Sequence, residues 1–306
     1  LLGMSVDKKQ LWNQAIKWPL YSVAIIPIFI CGAYNFYSFK DIKFLNFFWF
    51  TIASILLLLW ENLTNDLYDS DTGVDQFKFH SIVNLIKNKK LIFLIAYLSL
   101  FLGLLIIYII SLSLSINILI LILLSCSLGY LYQGPPFRLG YLGLGEPLCW
   151  LAFGPFTFAA GLIALNPIGI YANKIPWRES LLLGTGPALS ITLVLFCSHF
   201  HQINEDKKYG KRSPLVLMGT KKSASLVPLI VLFIYSFQTF TIFIDFIPRL
   251  CFLYLISLPY ALKLISVLNN YHYNPKALKD CKFIALKFQT INGFGLIIGL
   301  LFNSFL

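Results

Sequence analysis

The chain contains nine runs of about 20 mostly apolar residues, and this feature limits its fold more than any other. The composition agrees, because 58% of the 306 residues are hydrophobic and 12% are charged, whereas soluble chains average roughly 25% charged residues. In lipid every backbone polar group must pair internally, and an apolar helix satisfies that condition. We therefore predict an all-α, polytopic membrane protein with spans at 18–38, 44–63, 91–111, 114–133, 147–166, 180–200, 224–244, 248–268 and 284–305.

The charged residues are unevenly distributed, and their excess of basic groups gives a net charge of +11. In a membrane protein such an excess indicates topology rather than nucleic-acid binding, because cytoplasmic loops are rich in Lys and Arg. With a cytoplasmic N-terminus and nine alternating spans, 19 of the 24 basic residues fall on the cytoplasmic side. The other side holds Lys40, Lys43, Lys174, Arg178 and Arg249. We predict this orientation, a lipid-bilayer environment and no nucleic-acid partner.

The acidic residues concentrate at the cytoplasmic ends of the second and sixth spans. Seven of the 13 lie there: Glu61, Asp66, Asp69, Asp71, Asp75, Glu205 and Asp206. If both helices continue past their apolar runs, Asn65 and Asp69 share one face, as do Gln202 and Asp206. The matching positions suggest one domain, 1–306, built as a loose repeat of two halves at about 18–133 and 147–268.

Both acidic segments are suited to holding cations. Each lies at the C-terminal end of a helix, where the macrodipole already places negative charge, and clustered carboxylates near a membrane are costly. A divalent cation relieves this repulsion, and carboxylate and amide oxygens favour Mg²⁺. The plainer alternative is a set of solvated loop carboxylates. Two histidines, His199 and His201, are two residues apart, so hydrogen bonding is favoured over a zinc site, and the cysteines are interpreted as packing residues.

Basic residues follow both acidic segments. Lys78 follows the first, Lys207, Lys211 and Arg212 follow the second, and Arg138 follows a Q-G-P-P-F turn. Arg suits bidentate phosphate contacts and Lys suits point-charge contacts, so the pattern favours phosphate binding. Simple anchoring at the membrane surface is the alternative, and it is favoured for Lys89, Lys90, Lys221 and Lys222. Together, the acids, Mg²⁺ and basic groups suit a lipid diphosphate.

The segment N-D-L-Y-D-S-D-T-G-V-D (65–75) resembles the first Asp-rich motif of the UbiA-type membrane prenyltransferases, which have nine spans. Segments 17–28, 60–66, 79–85, 132–146 and 199–214 are similar to the members that prenylate 1,4-dihydroxy-2-naphthoate in oxygenic phototrophs. The resemblance implies a UbiA-type bundle around a central cavity, in the plasma or thylakoid membrane. It implies Mg²⁺, a phytyl or other polyprenyl diphosphate donor and a 1,4-dihydroxy-2-naphthoate acceptor.

The resemblance also implies roles for individual residues. The metal ligands are Asn65, Asp66, Asp69, Gln202 and Asp206, with Gln202 standing where many members have Asp. The diphosphate-binding residues are Asn65, Lys78, Arg138, Lys207, Lys211 and Arg212. The catalytic residues are Asp69, Asp75, Asp206 and His80, of which Asp75 and His80 are candidates for a base.

The implied reaction begins as the diphosphate leaves and an allylic cation develops in a dry, aromatic-lined cavity. The acceptor ring then attacks through its carboxyl-bearing carbon, and CO₂ leaves. Homogentisate, a hydroxybenzoate or chlorophyllide are alternative acceptors within the superfamily. A cation-coupled transporter is an alternative from another class, although transporters place their acids near the midplane rather than at one membrane edge.

Overall fold

The computed structural model describes residues 18–72, 82–86 and 88–304, and within these ranges the protein is helical with no strands. Nine of the described helices are long and apolar enough to cross a membrane. They are α1 (Pro19–Phe39), α2 (Phe44–Thr72), α3 (Lys89–Ser113), α4 (Ile116–Gln133), α5 (Gly145–Leu165), α6 (Trp177–Lys208), α7 (Thr220–Phe243), α8 (Arg249–Tyr271) and α9 (Cys281–Asn303). The predicted all-α class and the nine spans are confirmed.

Two helices extend well beyond their predicted apolar runs. α2 has 29 residues and ends at Thr72, and α6 has 32 residues and ends at Lys208. Apolar composition marks the part of a helix that lies in lipid, whereas backbone hydrogen bonding can continue as far as the polar side chains find partners. Both acidic segments therefore form the last turns of spanning helices. The i, i+4 spacing used in the prediction applies to them.

The most buried helices are α1, α5, α6 and α9. In α6, 78% of the most apolar stretch of 18 residues is buried, compared with 22% of the corresponding stretch in α2 and in α4. Close packing of α8 on α9 depends on Gly295 and Gly299, because an added Cβ at either would lie 2.5 Å from the backbone of Tyr254 or Cys251. Small residues at this spacing let the backbones of neighbouring helices approach closely. In lipid there is no hydrophobic driving force between helices, so this close packing helps to hold them together.

One helix is broken beside the centre of the bundle. In α5 a π-helical turn, Ala152–Phe156, forms around Pro155, which cannot donate a backbone hydrogen bond. The carbonyl of Ala152 accepts from the backbone amide of Thr157, and it also accepts from the hydroxyls of Ser125, at 3.2 Å, and Thr157, at 2.6 Å. Side-chain hydroxyls thus supplement the backbone bonding of this irregular turn, which lies inside a membrane-spanning helix.

The polar ends of four helices meet at one end of the bundle. The C-terminal ends of α2, α4 and α6 and the N-terminal end of α9 all contribute to one cavity wall. A 3₁₀ turn, Leu139–Leu142, and a short helix, Pro214–Met218, follow α4 and α6 at this end. The two-half repeat and the orientation in the membrane stay predictions.

Candidate active site

A cavity of about 290 Å³ lies among α1, α2, α4, α5 and α6. Its polar end is lined by Asn65, Asp69, His199, Gln202, Lys211 and Lys282. Further along the helices the wall is apolar and partly aromatic, with Phe50, Leu57, Ile122, Phe153 and Val194. A molecule with an anionic head and an apolar body matches this division. The central cavity predicted for the bundle is confirmed.

The end of α2 presents Asn65 and Asp69 to the cavity. Asp69 is 5% exposed, and its Oδ1 accepts a hydrogen bond of 2.8 Å from the Tyr141 hydroxyl. Thr72 lies 2.7 Å from the same hydroxyl. Helical continuation to Thr72 places Asn65 and Asp69 on one face, as predicted from their spacing.

Tyr141 connects both acidic segments, and sequence reasoning did not identify it. Its hydroxyl contacts Asp69, its carbonyl accepts from the Arg212 amide at 2.8 Å, and its ring lies 5.2 Å from Lys211 Nζ. Burial, and then the charge of Asp69, raise the pKa of Tyr141 above its ordinary value. The hydroxyl therefore stays protonated at neutral pH and can donate to Asp69. The only signal in the sequence is its place in the G-P-P-F-R-L-G-Y segment.

Two other acids of the first segment point elsewhere. Asp66 is 1% exposed, and its Oδ2 accepts a hydrogen bond of 3.2 Å from the amide of Ile82. That amide begins the short helix Ile82–Ile86, so Asp66 satisfies a helix N-terminus. Asp71 pairs with Lys89 at 2.7 Å on the surface. Neither residue belongs to the cavity wall, and the metal-ligand role of Asp66 stays a prediction.

The end of α6 is arranged differently, because its carboxylate lies behind a histidine. Asp206 is fully buried, and its Oδ2 lies 3.2 Å from His199 Nδ1. On the other side of the ring, His199 Nε2 lies 3.6 Å from Glu146 Oε1. His199 and Gln202 line the cavity, whereas Asp206 does not. The hydrogen-bonding role anticipated for His199 is observed, and Glu146 was not anticipated.

Two lysines reach the cavity. Lys211 is 5% exposed and lies close to Tyr141, beside the end of α6. Lys282 begins the last spanning helix and was interpreted from the sequence as one of many positive-inside residues. The fold carries it to the polar end of the cavity, opposite α2 and α6. Nothing in its local sequence distinguishes Lys282 from its neighbours Lys276, Lys279 and Lys287.

The other predicted diphosphate-binding residues lie around this end of the bundle. Arg138 has its guanidinium 5.9 Å from the Tyr141 ring. Lys207 and Arg212 are exposed at the surface. None of these three belongs to the cavity wall among the described residues. Asp75, Lys78 and His80, predicted as catalytic or diphosphate-binding, lie outside the described residues.

The cavity offers oxygen ligands to a metal ion. Among the described residues, no three His, Cys, Asp or Glu side chains cluster closely enough to enclose one. Asn65, Asp69 and Gln202 nevertheless supply one carboxylate and two amide oxygens to the same wall. Mg²⁺ commonly binds through one or two carboxylates and completes its shell with water and substrate phosphates. The donor set therefore fits Mg²⁺ held jointly with a phosphate substrate. The thiols line a different part of the cavity.

Comparison with known proteins accounts for this geometry. Residues 24–291 match the model of the UbiA prenyltransferase family. The chain belongs to this family. It is 38% identical over 289 residues to the 2-carboxy-1,4-naphthoquinone phytyltransferase of Synechocystis sp.. That match covers 93% of this chain and 91% of the Synechocystis protein. The chloroplastic enzyme of the same name from Arabidopsis thaliana is 35% identical, over 95% of this chain and 77% of that protein.

A solved structure supports the UbiA fold independently. The UbiA homolog from Archaeoglobus fulgidus bound to GPP and Mg²⁺ superposes with a TM-score of 0.58 at 14% identity. The match covers 94% of this chain and 99% of that protein. This chain is thus a UbiA-family prenyltransferase, and the family resemblance inferred from the Asp-rich segment is confirmed. Membership in this family also removes the transporter alternative.

Proposed function

We propose that this UbiA-family protein transfers a phytyl group from phytyl diphosphate to 1,4-dihydroxy-2-naphthoate, releasing diphosphate and CO₂. The observation that carries the proposal is the divided cavity, with lysines and oxygen ligands at one end and apolar side chains beyond. An allylic diphosphate has the same division of charge and apolar length. The choice of phytyl and of a naphthalene acceptor is supported by the two phytyltransferases to which the chain is similar.

In this proposal, Asn65, Asp69 and Gln202 are the residues that would hold Mg²⁺ at the polar end of the cavity. Tyr141 donates to Asp69, which orients the carboxylate and leaves its other oxygen available to the metal. Lys211 and Lys282 bind the diphosphate as point charges. Asp206 holds His199 in place rather than binding the metal, and Arg138, Lys207 and Arg212 contribute a positive field at the cavity entrance.

Catalysis then depends on charge placed where the transition state needs it. When bound, Mg²⁺ supplies positive charge to the departing diphosphate. Lys211 and Lys282 stabilise the same negative charge from fixed positions in a mostly apolar site, where such contacts are stronger than in water. The aromatic faces of Phe50, Trp60 and Phe153 line the cavity and stabilise the allylic cation. Closely packed apolar walls exclude water, which would otherwise capture the cation.

We propose the reduced acceptor because an allylic cation requires an electron-rich ring. The relatives are named for the quinone form, 2-carboxy-1,4-naphthoquinone. A quinone ring is electron-poor and would have to gain two electrons before attacking a cation. The dihydroxynaphthoate needs no reductant.

We also propose that the polar end of the cavity faces the cytoplasm, in a plasma or thylakoid membrane. The support is the distribution of 19 of the 24 basic residues. A diphosphate substrate made in that aqueous compartment would then enter the cavity from the side of the membrane on which it is made.

The direct test is a transfer assay with the purified full chain in nanodiscs. Phytyl diphosphate and Mg²⁺ are combined in parallel with 1,4-dihydroxy-2-naphthoate, its quinone, homogentisate and 4-hydroxybenzoate. We expect a phytylated, decarboxylated naphthohydroquinone, one CO₂ and one diphosphate per turnover, and no product after chelation by EDTA. Comparable transfer to homogentisate or hydroxybenzoate, or equal rates with the quinone and no reductant, would contradict the proposed acceptor.

A further inference from the structure

One acidic side chain of the cavity takes no part in the arrangement described above. Glu61 lies on α2, four residues before Asn65 and eight before Asp69, so all three share one helix face. At 1.5 Å per residue, Glu61 stands about 12 Å along the helix from Asp69, on the apolar side. It lines the cavity next to residues that are mostly apolar.

The carboxylate of Glu61 is unpaired within the part of the chain that the structure describes. Among the described residues, no hydrogen bond or ion pair reaches its oxygens, although its backbone carbonyl accepts from Gln133 Nε2 at 3.1 Å. Cys126 on α4 and Cys149 on α5 interact electrostatically with it, and the other titratable groups that line its cavity are Asp69, Tyr132, His199, Lys211 and Lys282. A carboxylate in such a place is costly unless a ligand satisfies it.

The opposite helix is shaped to accommodate this side chain. Gly129 on α4 faces Glu61, and an added Cβ would collide with Glu61 Oε2. Any other residue at 129 would displace the carboxylate. One turn further along, Gln133 is 2% exposed and lines the same wall, and its Oε1 has no hydrogen-bond partner among the described residues. Gln133 is held beside Glu61, because its Nε2 donates to the Glu61 backbone carbonyl, and both side chains thus bring an oxygen acceptor that lacks a donor among the described residues.

The position and chemistry of these acceptors match a phenolic ring. Hydroxyl groups donate, and a carboxylate is the strongest acceptor that the protein can offer them. The allylic carbon is bonded to the diphosphate, so the attacking ring must lie just beyond the polar end, with its reacting carbon within about 3.5 Å of that carbon. Glu61 stands on that side of Asp69, between the lysines and the apolar wall.

We propose that Glu61 binds a ring hydroxyl of the acceptor and carries its proton during transfer. This inference rests on the proposed function and adds a subsite for the acceptor ring, formed by Glu61 and Gln133 beside Gly129. It assigns the base to α2, whereas the sequence suggested Asp75 or His80. Glu61 is then a catalytic residue, and Gln133 positions the ring.

The proposed step balances without any further reactant. The ring carbon that bears the carboxylate forms a bond to the allylic carbon as the carbon–oxygen bond to diphosphate breaks. The adjacent hydroxyl becomes a ketone and gives its proton to Glu61. The carbon–carbon bond to the carboxylate then breaks, CO₂ leaves, and the electron pair restores the aromatic ring as a phenolate. Glu61 returns the proton to that oxygen, so it ends the cycle ionised.

The test compares the full chain with Glu61→Gln, Glu61→Asp and Gly129→Ala in nanodiscs. For Glu61→Gln we expect kcat to fall by about 10²-fold, the usual range for a lost general base, while KM for phytyl diphosphate changes less than about threefold. Glu61→Asp should restore part of the rate because it keeps a carboxylate. Gly129→Ala should lower kcat by displacing the carboxylate. Glu179→Gln, the same chemical change on α6 outside the cavity, is the matched control.

A second measurement separates a catalytic role from a structural one. The pH dependence of kcat with 1,4-dihydroxy-2-naphthoate is compared between wild type and Glu61→Gln. If Glu61 accepts the ring proton, wild type should lose activity towards low pH as the carboxylate is protonated, and the variant should lack this acidic limb. A general loss of folding would instead lower the rate at every pH and keep the limb.

The outcomes distinguish this inference from the proposed function. If wild type releases diphosphate but does not alkylate dihydroxynaphthoate, the proposed function fails and the inference fails with it. If wild type alkylates the acceptor and Glu61→Gln is within threefold of it, the inference alone is overturned. The same conclusion holds if the variant loses donor binding, or if wild type and Glu61→Gln share the same acidic limb in their pH profiles.

Discussion

The two acidic helix ends have the same spacing and opposite arrangements. On α2, Asp69 lines the cavity beside Asn65 and accepts a hydrogen bond from Tyr141. On α6, Asp206 is fully buried behind His199, and the cavity is lined by His199 and the neutral Gln202. One end therefore presents negative charge to a ligand, whereas the other keeps its charge inside the protein.

This difference shows that i, i+4 spacing determines which residues share a helix face. It does not determine which groups of other helices pack against that face. At the end of α2, the phenol hydroxyl of Tyr141 donates a hydrogen bond to Asp69 and leaves its negative charge in place. The carboxylate of Asp206 on α6 contacts His199, which lies between Asp206 and Glu146, and it also interacts with Lys211. The division predicts that α2 supplies the metal site and that α6 supports it. Each of the following experiments tests that division.

The largest effect is expected at Asp69. Asp69→Asn removes the carboxylate from the cavity wall and keeps its size, so transfer should fall at least ~10²-fold, as when a group that stabilises transition-state charge is lost. The amount of folded protein should stay near wild type, since the lost charge faced the cavity. Initial rates with saturating donor and Mg²⁺ measure this. Asp41→Asn, the same exchange at an exposed residue before the start of α2, is the control, and an Asp69→Asn rate near wild type would refute the metal role.

The next effect is expected at Asp206, and it should appear mainly as lost stability. Asp206→Asn leaves His199 and Lys211 without their buried counter-charge, and breaking a buried pair costs about 3 kcal/mol. Thermal unfolding in detergent should therefore shift down clearly, and the surviving folded fraction should keep measurable transfer. If Asp206→Asn instead kept its melting temperature and lost transfer as completely as Asp69→Asn, both ends would bind metal directly.

A smaller effect is expected at Tyr141. Tyr141→Phe removes the donor to Asp69, and loss of such an outer hydrogen bond weakens metal binding by about tenfold or more. The Mg²⁺ concentration at half-maximal rate should rise accordingly. Tyr235→Phe, which removes a hydroxyl bonded to Ser257 on α7 and α8, is the control.

The same variant has a predicted pH dependence. Because the pKa of Tyr141 is raised by burial and by Asp69, its proton is present throughout the range below its ordinary pKa. The ratio of wild-type to Tyr141→Phe activity should therefore be constant between pH 6.5 and about 9. A ratio that fell towards one as the pH rose through this range would mean that the hydroxyl ionises early.

A comparable but more specific effect is expected at Lys282. Lys282→Gln removes a cation from the cavity and should raise KM for phytyl diphosphate by about tenfold, equivalent to roughly 1.4 kcal/mol of binding. The acceptor KM should change little. Lys279→Gln, one turn earlier and exposed, is the matched control, and equal effects of the two variants would show that only the surface field matters.

The smallest effects are expected at the exposed basic residues. Lys207→Gln and Arg212→Gln should each change KM for the donor by less than about threefold, because exposed charges are screened by salt. Any change should decrease further at high ionic strength. A tenfold loss for Arg212→Gln that persists in 0.5 M salt would restore the direct diphosphate contact predicted from the sequence.

Much of the fold could be predicted because its signals are local. A run of 20 apolar residues indicates a membrane span without reference to any other part of the chain. Each of the nine predicted runs corresponds to one of the nine spanning helices among the described residues. The ends of α2 and α6 were placed too early, since composition changes before the helix does. Asn65 and Asp69 were found because helical periodicity alone puts them on one face.

The missed residues share one property, which is that their importance depends on distant segments. Lys282 lies more than 200 residues from Asp69 in the chain and joins it only through the packing of α9. Glu146 and Tyr141 act through contacts with α6 and α2. Glu61 offered a signal, a single carboxylate within an apolar run, but the signal did not reveal that its partners were absent.

The sequence by itself determined the class of fold, the number of spans and the two places where acids collect, because hydrophobicity and periodicity are properties of the chain. Only the tertiary structure decided which acid faces the cavity. Whether a carboxylate binds a ligand or is satisfied internally depends on which donors lie within about 3 Å of it. For Asp69, Asp206 and Glu61, those donors belong, or would have to belong, to other helices.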